Sequence, residues 1–404
     1  MLHAAIASRR MRNLLISGLK TETPAEVVRR LGALQAQDYA QAAWAIGLRT
    51  ESATLADVER AIADRRIVLT WALRGTLHAV PAEDARWMVR LSAPRVLARD
   101  KRRQQQLEID DRLIAQCGRL IEGALRERKR MTRAELMEML EQAGIRTKPQ
   151  RGYHILWVLA QTGLICLGPL EGKQQTFVPL EDWAPNPRDL SGEEALRELA
   201  VRYFTGHGPA TLHDFGWWAG LTITEAKKAV AAADGVLFSE TIGGTAYWSG
   251  GEKRGDGPEM PGIALLAGYD EYLLGYKDRS AMLKPEHAPK VVPGGNGVYA
   301  PMLVVGGEIA GIWRRSIGKQ GVELAVHPFE NSGVTEERVA GAARRYGEFL
   351  GLPGRIRGTD RFWPKRPNCW TAAASWPPYA ARPPRSPKRA CWTTARTPAT
   401  ASSF

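Results

Sequence analysis

The feature that most constrains the fold is a pattern of helices followed by two short strands, which occurs three times in the first two thirds of the chain. In the first copy, helical segments at 24–44 and 54–64 precede an alternating stretch at 67–81. The second copy begins with a capping-box pattern, in which Thr132 is followed three residues later by Glu135. Helices followed by a strand pair are the outline of a winged helix. We therefore predict three winged-helix units in series.

The local composition of the sequence changes after the third unit. Short runs rich in strand-forming residues begin at 262, and Gly306-Gly307 suits a tight hairpin turn between two of them. We therefore predict an α+β fold, with tandem winged-helix units followed by a small antiparallel β-sheet or barrel. The predicted boundaries are 1–130, 131–190 and 191–260 for the three units, 261–350 for the barrel-like domain and its closing helix, and 351–404 for a basic, proline-rich tail.

The net charge of +13 is unevenly distributed along the chain. Residues 351–404 carry ten basic residues and one acid, so they contribute +9 and leave only +4 for residues 1–350. A basic surplus favours anionic partners such as nucleic acid, but the mild charge of the body decides little about its partner. Nine prolines and little apolar periodicity predict that the tail is largely disordered.

Several classes of protein are excluded by what the sequence lacks. The four cysteines form no C-x-x-C pair, and the seven histidines show no H-x-x-x-H or HExxH spacing. These spacings argue against a disulfide framework, a zinc motif and a dedicated metal site. No apolar run approaches the roughly 18 residues that a membrane span requires. We expect a cytoplasmic protein that makes no contact with a membrane.

Two glutamines, Gln35 and Gln37, lie in the sequence LQAQD within the first predicted helix. Residues two apart on a regular helix point about 200° apart, so both could reach one site only if the helix ends or distorts near them. An ordinary polar helix surface is the simpler interpretation from composition, because glutamine is common in helices. Asp38 is the alternative catalytic group, because its side chain is a carboxylate. Its position next to Gln37 on the predicted helix indicates that it faces away from any site that the glutamines share.

A family resemblance changes the interpretation of this pair. LGALQAQDYAQAAWAIGLRT at 31–50 resembles the glutamine motif (Gln, apolar residue, Gln) of the AlkZ-like DNA glycosylases, a family built from tandem winged helices. Segments at 70–88, 265–280 and 300–315 are similar to further family segments, in the expected order. The resemblance runs through about residues 5–350 and excludes the tail. A sister branch has Asp at the third motif position, whereas this chain has Gln37.

The resemblance implies a monofunctional DNA glycosylase that excises N7-alkylpurines from double-stranded DNA, with an extension to unhooking interstrand crosslinks. An N7-alkylated purine is already cationic, so it leaves as a neutral base without protonation. What remains is to place a water near C1′ of the sugar and to stabilise oxocarbenium-like charge, which the amides of Gln35 and Gln37 can do. The implied enzyme requires no cofactor, and we expect a monomer associated with the nucleoid.

One strand of the first unit offers a set of polar groups. If the stretch RGTLHAV is a strand, Arg74, Thr76 and His78 lie on one face. In the functional interpretation Arg74 and Thr76 bind phosphate and His78 lines the lesion pocket. A solvated wing face is the alternative.

Six other residues are candidates for DNA contact: Arg151 and His154 at the start of the second unit's recognition helix, Lys277 and Arg279 in GYDEYLLGYKDR, and Arg314 and Arg315 at the end of the hairpin. An internal ion-pair network that includes Asp270 and Glu271 is the favoured interpretation of the GYDEYLLGYKDR segment. Trp217 and Trp218 are predicted to pack the core of the third unit rather than to stack on a base.

The alternative to the enzyme is a non-enzymatic winged-helix transcription regulator, because many winged helices bind DNA without chemistry. A regulator typically dimerises and protects one sequence in a footprint. A glycosylase binds DNA without strong sequence preference.

Overall fold

The structure is a computed structural model that describes residues 2–251, 262–295, 297–330 and 332–357. Helices and strands are mixed throughout, which confirms the predicted combination of the two element types. Most of the predicted tail, residues 358–404, lies outside the described residues. The predicted boundary at 351 is wrong, because Gly354–Arg357 forms a strand beside the preceding sheet.

The first part of the chain has six helices and three strands. They are α1 (Leu2–Asn13), α2 (Pro24–Leu31), β1 (Leu34–Gln35), α3 (Tyr39–Leu48), α4 (Leu55–Ala63), β2 (Ile67–Ala72), β3 (Thr76–Pro81), α5 (Ala82–Gln106) and α6 (Asp111–Arg128).

The prediction of a single helix over 24–44 is wrong, because the segment contains two helices with a short strand between them. A capping box formed by Thr23 and Glu26 begins α2, and Gly32 ends it with a φ of 79° that favours glycine. Asp38 begins α3 by accepting hydrogen bonds from the backbone N–H groups of Ala40 and Gln41. The two glutamines therefore lie in the connection between the helices.

The second part is β4 (Met131–Thr132), α7 (Arg133–Gln142), α8 (Arg151–Gln161), β5 (Ile165–Glu171), β6 (Gln174–Pro179) and α9 (Leu180–Trp183). Its strands join those of the first part in one six-stranded sheet with the order β1-β3-β2-β5-β6-β4. The link between the two hairpins is an antiparallel contact of Leu69 in β2 with Leu167 in β5. The first two predicted units thus share a sheet rather than carrying separate wings.

The third part comprises α10 (Gly192–His207), α11 (Leu212–Ala219), α12 (Ile223–Ala231), β7 (Leu237–Ile242) and β8 (Thr245–Gly250). The two strands form an antiparallel pair of their own. Three helices followed by a hairpin match the order of elements predicted for this segment, and residues 252–261 lie outside the described residues.

The last part is β9 (Ile263–Leu266), α13 (Glu271–Leu274), 3₁₀ turns at Pro285–His287 and Pro293–Gly295 around α14 (Ala288–Val291), β10 (Met302–Val305), β11 (Glu308–Gly318), β12 (Gly321–Pro328), α15 (Glu336–Leu350) and β13 (Gly354–Arg357). The strand order is β13-β12-β11-β10-β9. Gly306 and Gly307, both at positive φ, make the predicted tight turn between β10 and β11. The predicted antiparallel sheet is confirmed for β9 to β12, but β13 runs parallel to β12.

Helix α3 connects the first part of the chain to this last sheet. The Trp44 indole packs edge-on against Tyr346, with 4.8 Å between ring centroids, and its Nε1 donates to the carbonyl of Leu265. Arg49 makes a bidentate ion pair with Asp270, and both side chains are fully buried. A buried pair of this kind adds little net stability, but breaking it leaves an uncompensated charge. The segment after β9 is thereby held beside the two glutamines.

Candidate active site

The two glutamines meet because strand β1 pairs with strand β3. Gln35 lies directly opposite His78 in this antiparallel pair, so the two side chains share a face of the sheet. Gln37 follows β1 in the bend that precedes α3, which brings it close to Gln35. The Nε2 of Gln35 donates a hydrogen bond to the Oε1 of Gln37. The helix does end near the pair, as their meeting requires.

The Gln35 amide is buried but incompletely paired. Its side chain is only 8% exposed. Within the described part of the chain, its Oε1 has no hydrogen-bond partner. Since buried side-chain oxygens are nearly always paired, such an atom is where a water or a substrate group is expected to bind. The Gln37 bond fixes the amide so that this oxygen stays available as an acceptor.

Two threonines add hydroxyl groups to the same face of the sheet. Thr70 of β2 lies opposite His78, and Thr76 lies two residues before His78 on β3. Their Oγ1 atoms are also buried and have no hydrogen-bond partner among the described residues. Three polar oxygens thus surround His78 on one face, which is more than a packed apolar core tolerates.

His78 is a neutral imidazole in this setting. It is 1% exposed, and burial together with the nearby Arg74 guanidinium lowers its pKa to about 4. Its Nδ1 lies 2.7 Å from the carbonyl oxygen of Thr76. Because a carbonyl only accepts, Nδ1 carries the proton and Nε2 is an acceptor.

Glu271 lies beneath the glutamine pair and was not predicted as a site residue. It is 2% exposed and accepts hydrogen bonds from the backbone N–H of Gln35 at 3.2 Å, from Nε2 of His207 at 3.1 Å and from Nε1 of Trp218 at 2.9 Å. Burial acts to raise its pKa, but the His207 hydrogen bond and neighbouring positive charge outweigh it and hold the pKa below its usual range. A carboxylate is therefore fixed directly behind Gln35.

The ion-pair network predicted for the GYDEYLLGYKDR segment is wrong in its partners. Asp270 pairs with Arg49 and Glu271 with His207, both far away in sequence. Lys277 is exposed, and its backbone N–H donates to the Asp214 carboxylate. One local signal in the sequence marks the segment, since Asp270 caps the short helix α13.

Arg74 lies in the turn between β2 and β3, not on the strand, so the prediction that it shares a strand face with Thr76 and His78 is wrong. Thr76 and His78 do share that face. The Nη1 of Arg74 donates to the carbonyls of Trp217 and Trp218, at 3.0 and 2.6 Å. These bonds fix the guanidinium at the end of α11, beside the sheet that carries His78.

The other predicted contacts lie on separate elements. Arg279 is half-buried, with its Nη2 3.1 Å from the Tyr299 hydroxyl. Arg314 and Arg315 are half-buried on β11, and Arg315 contacts the Tyr346 hydroxyl.

The two predicted contacts on α8 are held mainly against the first part of the chain, at α5 and the turn that follows it. Arg151 donates to three backbone carbonyls, those of Leu107, Arg146 and Glu108. His154 is 3% exposed with its Nε2 2.6 Å from Asp100, which favours a structural role over DNA contact.

Asp38 is exposed and its carboxylate caps α3, as described above. Because the Asp38 carboxylate accepts hydrogen bonds from α3, it is directed toward that helix, in agreement with the prediction that Asp38 faces away from the glutamine pair. Among the residues the structure describes, no group of three or more His, Cys, Asp or Glu side chains is arranged to hold a metal ion. In the same ranges, no helix combines the length and the apolar character needed to cross a membrane.

Comparison with known proteins points in one direction. A family model described as DNA glycosylase AlkZ-like matches residues 28–349. The Interstrand DNA cross-link repair glycosylase of Streptomyces sahachiroi is 28% identical over 377 residues, which span 86% of this chain and 97% of that protein. The solved structure of Streptomyces sahachiroi DNA glycosylase AlkZ superposes with a TM-score of 0.72 at 24% identity, covering 88% of this chain and 98% of that chain. At that identity the superposition establishes a shared fold.

Proposed function

The chain belongs to the AlkZ-like family of DNA glycosylases, and from this premise we propose that it hydrolyses the N-glycosidic bond of N7-alkylated, cationic purines in duplex DNA. The name of the Streptomyces relative extends the proposal to interstrand crosslinks attached through such purines. The enzyme is monofunctional, because its nucleophile is water rather than a lysine amine. It acts as a monomer in the cytoplasm and requires no cofactor.

The observation that carries the proposal is the Oε1 atom of Gln35, which is buried and has no hydrogen-bond partner among the described residues. The hydrogen bond to Gln37 holds the Gln35 amide in place. An amide oxygen at this point accepts a hydrogen bond from the attacking water and orients it toward C1′. The leaving purine takes the electrons of the glycosidic bond and departs neutral, so no acid is needed. The water then loses its proton to solvent, and an abasic sugar remains.

The charges around the site favour the same reaction. Positive charge develops on the sugar as the bond breaks, and a fixed carboxylate nearby stabilises it. Glu271 supplies that charge behind Gln35. His78, whose pKa is about 4, remains neutral near pH 7 and does not repel the cationic base. It lines the lesion pocket, and Thr76 on the same face of the sheet binds phosphate.

The remaining sequence-based assignments belong to this proposal as well. The segments 1–130, 131–190 and 191–260 act as tandem winged-helix units along the DNA, the first two of them joined through their common sheet. The segment from 261, extended to include β13, supplies a hairpin to the groove. Phosphate contacts come from basic residues on several elements: Arg74, Arg151, Lys277, Arg279, Arg314 and Arg315. Such contacts bind without reading sequence, which suits an enzyme that searches for damage.

Incubation of purified protein with a duplex that carries a single 7-methylguanine tests the proposal. The expected result is free 7-methylguanine and an abasic site that breaks only after alkali treatment. Strand breakage without alkali would contradict a monofunctional enzyme. Failure to release any cationic base, with a footprint at one preferred sequence, would favour the transcription regulator.

A further inference from the structure

Helix α11 carries two consecutive tryptophans with opposite exposures. Trp218 is 1% exposed and packs in the core, as predicted, but Trp217 is 41% exposed, so the prediction that both pack the core is wrong for Trp217. Neighbouring residues of a helix point about 100° apart, and here Trp218 faces the core while Trp217 faces outward. Of the large apolar side chains that the structure describes as exposed, Trp217 is the only aromatic one.

The exposed indole is fixed at the edge of the candidate active site. The guanidinium carbon of Arg74 lies 5.4 Å from the centroid of the Trp217 ring. A side chain at Gly220 would place its Cβ 3.2 Å from the Arg74 side chain, so the end of α11 packs closely on the turn between β2 and β3. The indole and the guanidinium form a joint surface, which we call the Trp217–Arg74 platform.

A short chain of contacts links the platform to Gln35. Trp218 donates to Glu271, and Glu271 accepts from the backbone N–H of Gln35. Each of these three groups is buried. Trp217 is the residue next to Trp218 on the same helix, so its backbone position is fixed relative to the amide that we assign to catalysis.

We propose that Trp217 stacks on a nucleobase of the substrate DNA beside the damaged position, with Arg74 completing the platform. The inference rests on the proposed glycosylase function. Access to C1′ of a damaged nucleotide disturbs the stacking around it, and unstacking a base costs a few kcal/mol. An aromatic ring that stacks on a neighbouring base offsets this cost for any sequence, because every base has a π face. The guanidinium adds cation–π contact and attraction for phosphate.

The experiment compares Trp217→Leu and Trp217→Ala with Trp217→Phe, in the full chain. Leucine keeps an apolar side chain but no ring, whereas phenylalanine keeps a smaller ring. Single-turnover release is measured on the 7-methylguanine duplex. Binding is measured on a duplex whose lesion carries a 2′-fluoro sugar, which resists hydrolysis, with 2-aminopurine as the neighbouring base to report stacking.

We expect the leucine and alanine variants to lose between about 5-fold and 150-fold in binding or release, the range measured when a stacking aromatic is truncated. They should also lose the 2-aminopurine signal that wild type produces, and the phenylalanine variant should recover most of both. Val236→Ala, at a residue of similar exposure in the same part of the chain, is the control and should behave as wild type. Thermal melting verifies that each variant is folded, and if alanine prevents folding, the leucine and phenylalanine pair carries the test.

Two failures are distinguishable. No release of 7-methylguanine by the wild type would contradict the proposed function. Release by the wild type, with unchanged rate, binding and 2-aminopurine fluorescence in the folded Trp217→Leu variant, would overturn the stacking inference and leave the proposed function standing.

Discussion

At the scale of single residues, the Gln35 amide combines burial with an unused acceptor. Gln35→Ala removes that acceptor, and Gln37→Ala removes the group that orients it. We expect each variant to slow single-turnover release of 7-methylguanine by about 100-fold, equivalent to about 2.7 kcal/mol of transition-state stabilisation. DNA affinity should stay nearly unchanged, because neither side chain is charged.

Asp38→Asn is the matched control for the glutamine variants. Asparagine also caps helices well, so α3 should keep its start. The Asp38→Asn variant should release 7-methylguanine within about twofold of the wild-type rate in the same single-turnover assay. Wild-type rates in both glutamine variants would show that the amides do not orient the water.

His78 should make the fold sensitive to acid. Its folded pKa of about 4 lies below the ordinary value of 6.5, so the unfolded chain binds a proton between these values and the folded chain does not. The stabilisation is fully present above about pH 6.5 and is lost as the pH falls toward 4. We expect His78 to contribute about 2 kcal/mol to the loss of unfolding free energy between pH 7 and pH 5.

Urea unfolding of wild type and His78→Gln at both pH values measures the contribution of His78. The variant should lose about 2 kcal/mol less than wild type over this interval. The same exchange at His213, which is exposed on α11, controls for the loss of a histidine. Equal losses in wild type and His78→Gln would contradict the assignment of His78 as a neutral buried group.

At the scale of secondary-structure elements, Glu271 holds four elements together. It begins α13 and binds β1, α10 and α11 through Gln35, His207 and Trp218. Glu271→Gln keeps the size of the side chain but removes the charge, and its NH₂ group would face N–H donors. We expect a loss of about 3 kcal/mol in unfolding free energy, typical of a broken buried pair, measured in urea.

The release rate of Glu271→Gln discriminates structure from electrostatics. If the carboxylate stabilises the developing positive charge, the rate constant for release of the base from bound substrate should fall by about tenfold or more, measured under conditions where the variant is folded. A folded variant with the wild-type rate would restrict Glu271 to holding the elements together. Glu323→Gln, at a solvent-exposed position on β12, should change neither quantity.

The elements that sequence patterns predicted are those with local signals. Capping residues, alternating strands and the Gly306-Gly307 turn marked most helices and hairpins correctly. Strand β1 has only two residues, too few for any periodicity, so the segment was predicted as helix. The Glu271 contact with Gln35 joins residues 236 positions apart, and no local pattern encodes it. The motif glutamines were found through resemblance, and their meeting depends on a strand pairing that only the structure shows.

At the scale of the whole molecule, the site contains amides, hydroxyls, a neutral histidine and a buried carboxylate, and the described residues place no strong acid beside a leaving base. The rate of excision should therefore depend on how well the base departs unaided. We expect release of cationic 7-methylguanine and 3-methyladenine from duplex DNA. Neutral lesions such as uracil and 1,N⁶-ethenoadenine should persist under the same single-turnover conditions. Efficient excision of uracil would require a stronger catalytic group and would contradict the amide mechanism.

The same reasoning predicts how release depends on pH. Glutamine does not titrate, and the pKa of His78 near 4 keeps that side chain neutral at higher pH. The Glu271 carboxylate, with its pKa below the usual range, stays ionised. The single-turnover rate of bound 7-methylguanine substrate should accordingly be flat between about pH 6 and 8, measured at saturating enzyme so that binding does not contribute. A bell-shaped or sloping profile in this interval would mean that a titrating acid or base takes part in the chemical step, and the water would then be activated rather than only oriented.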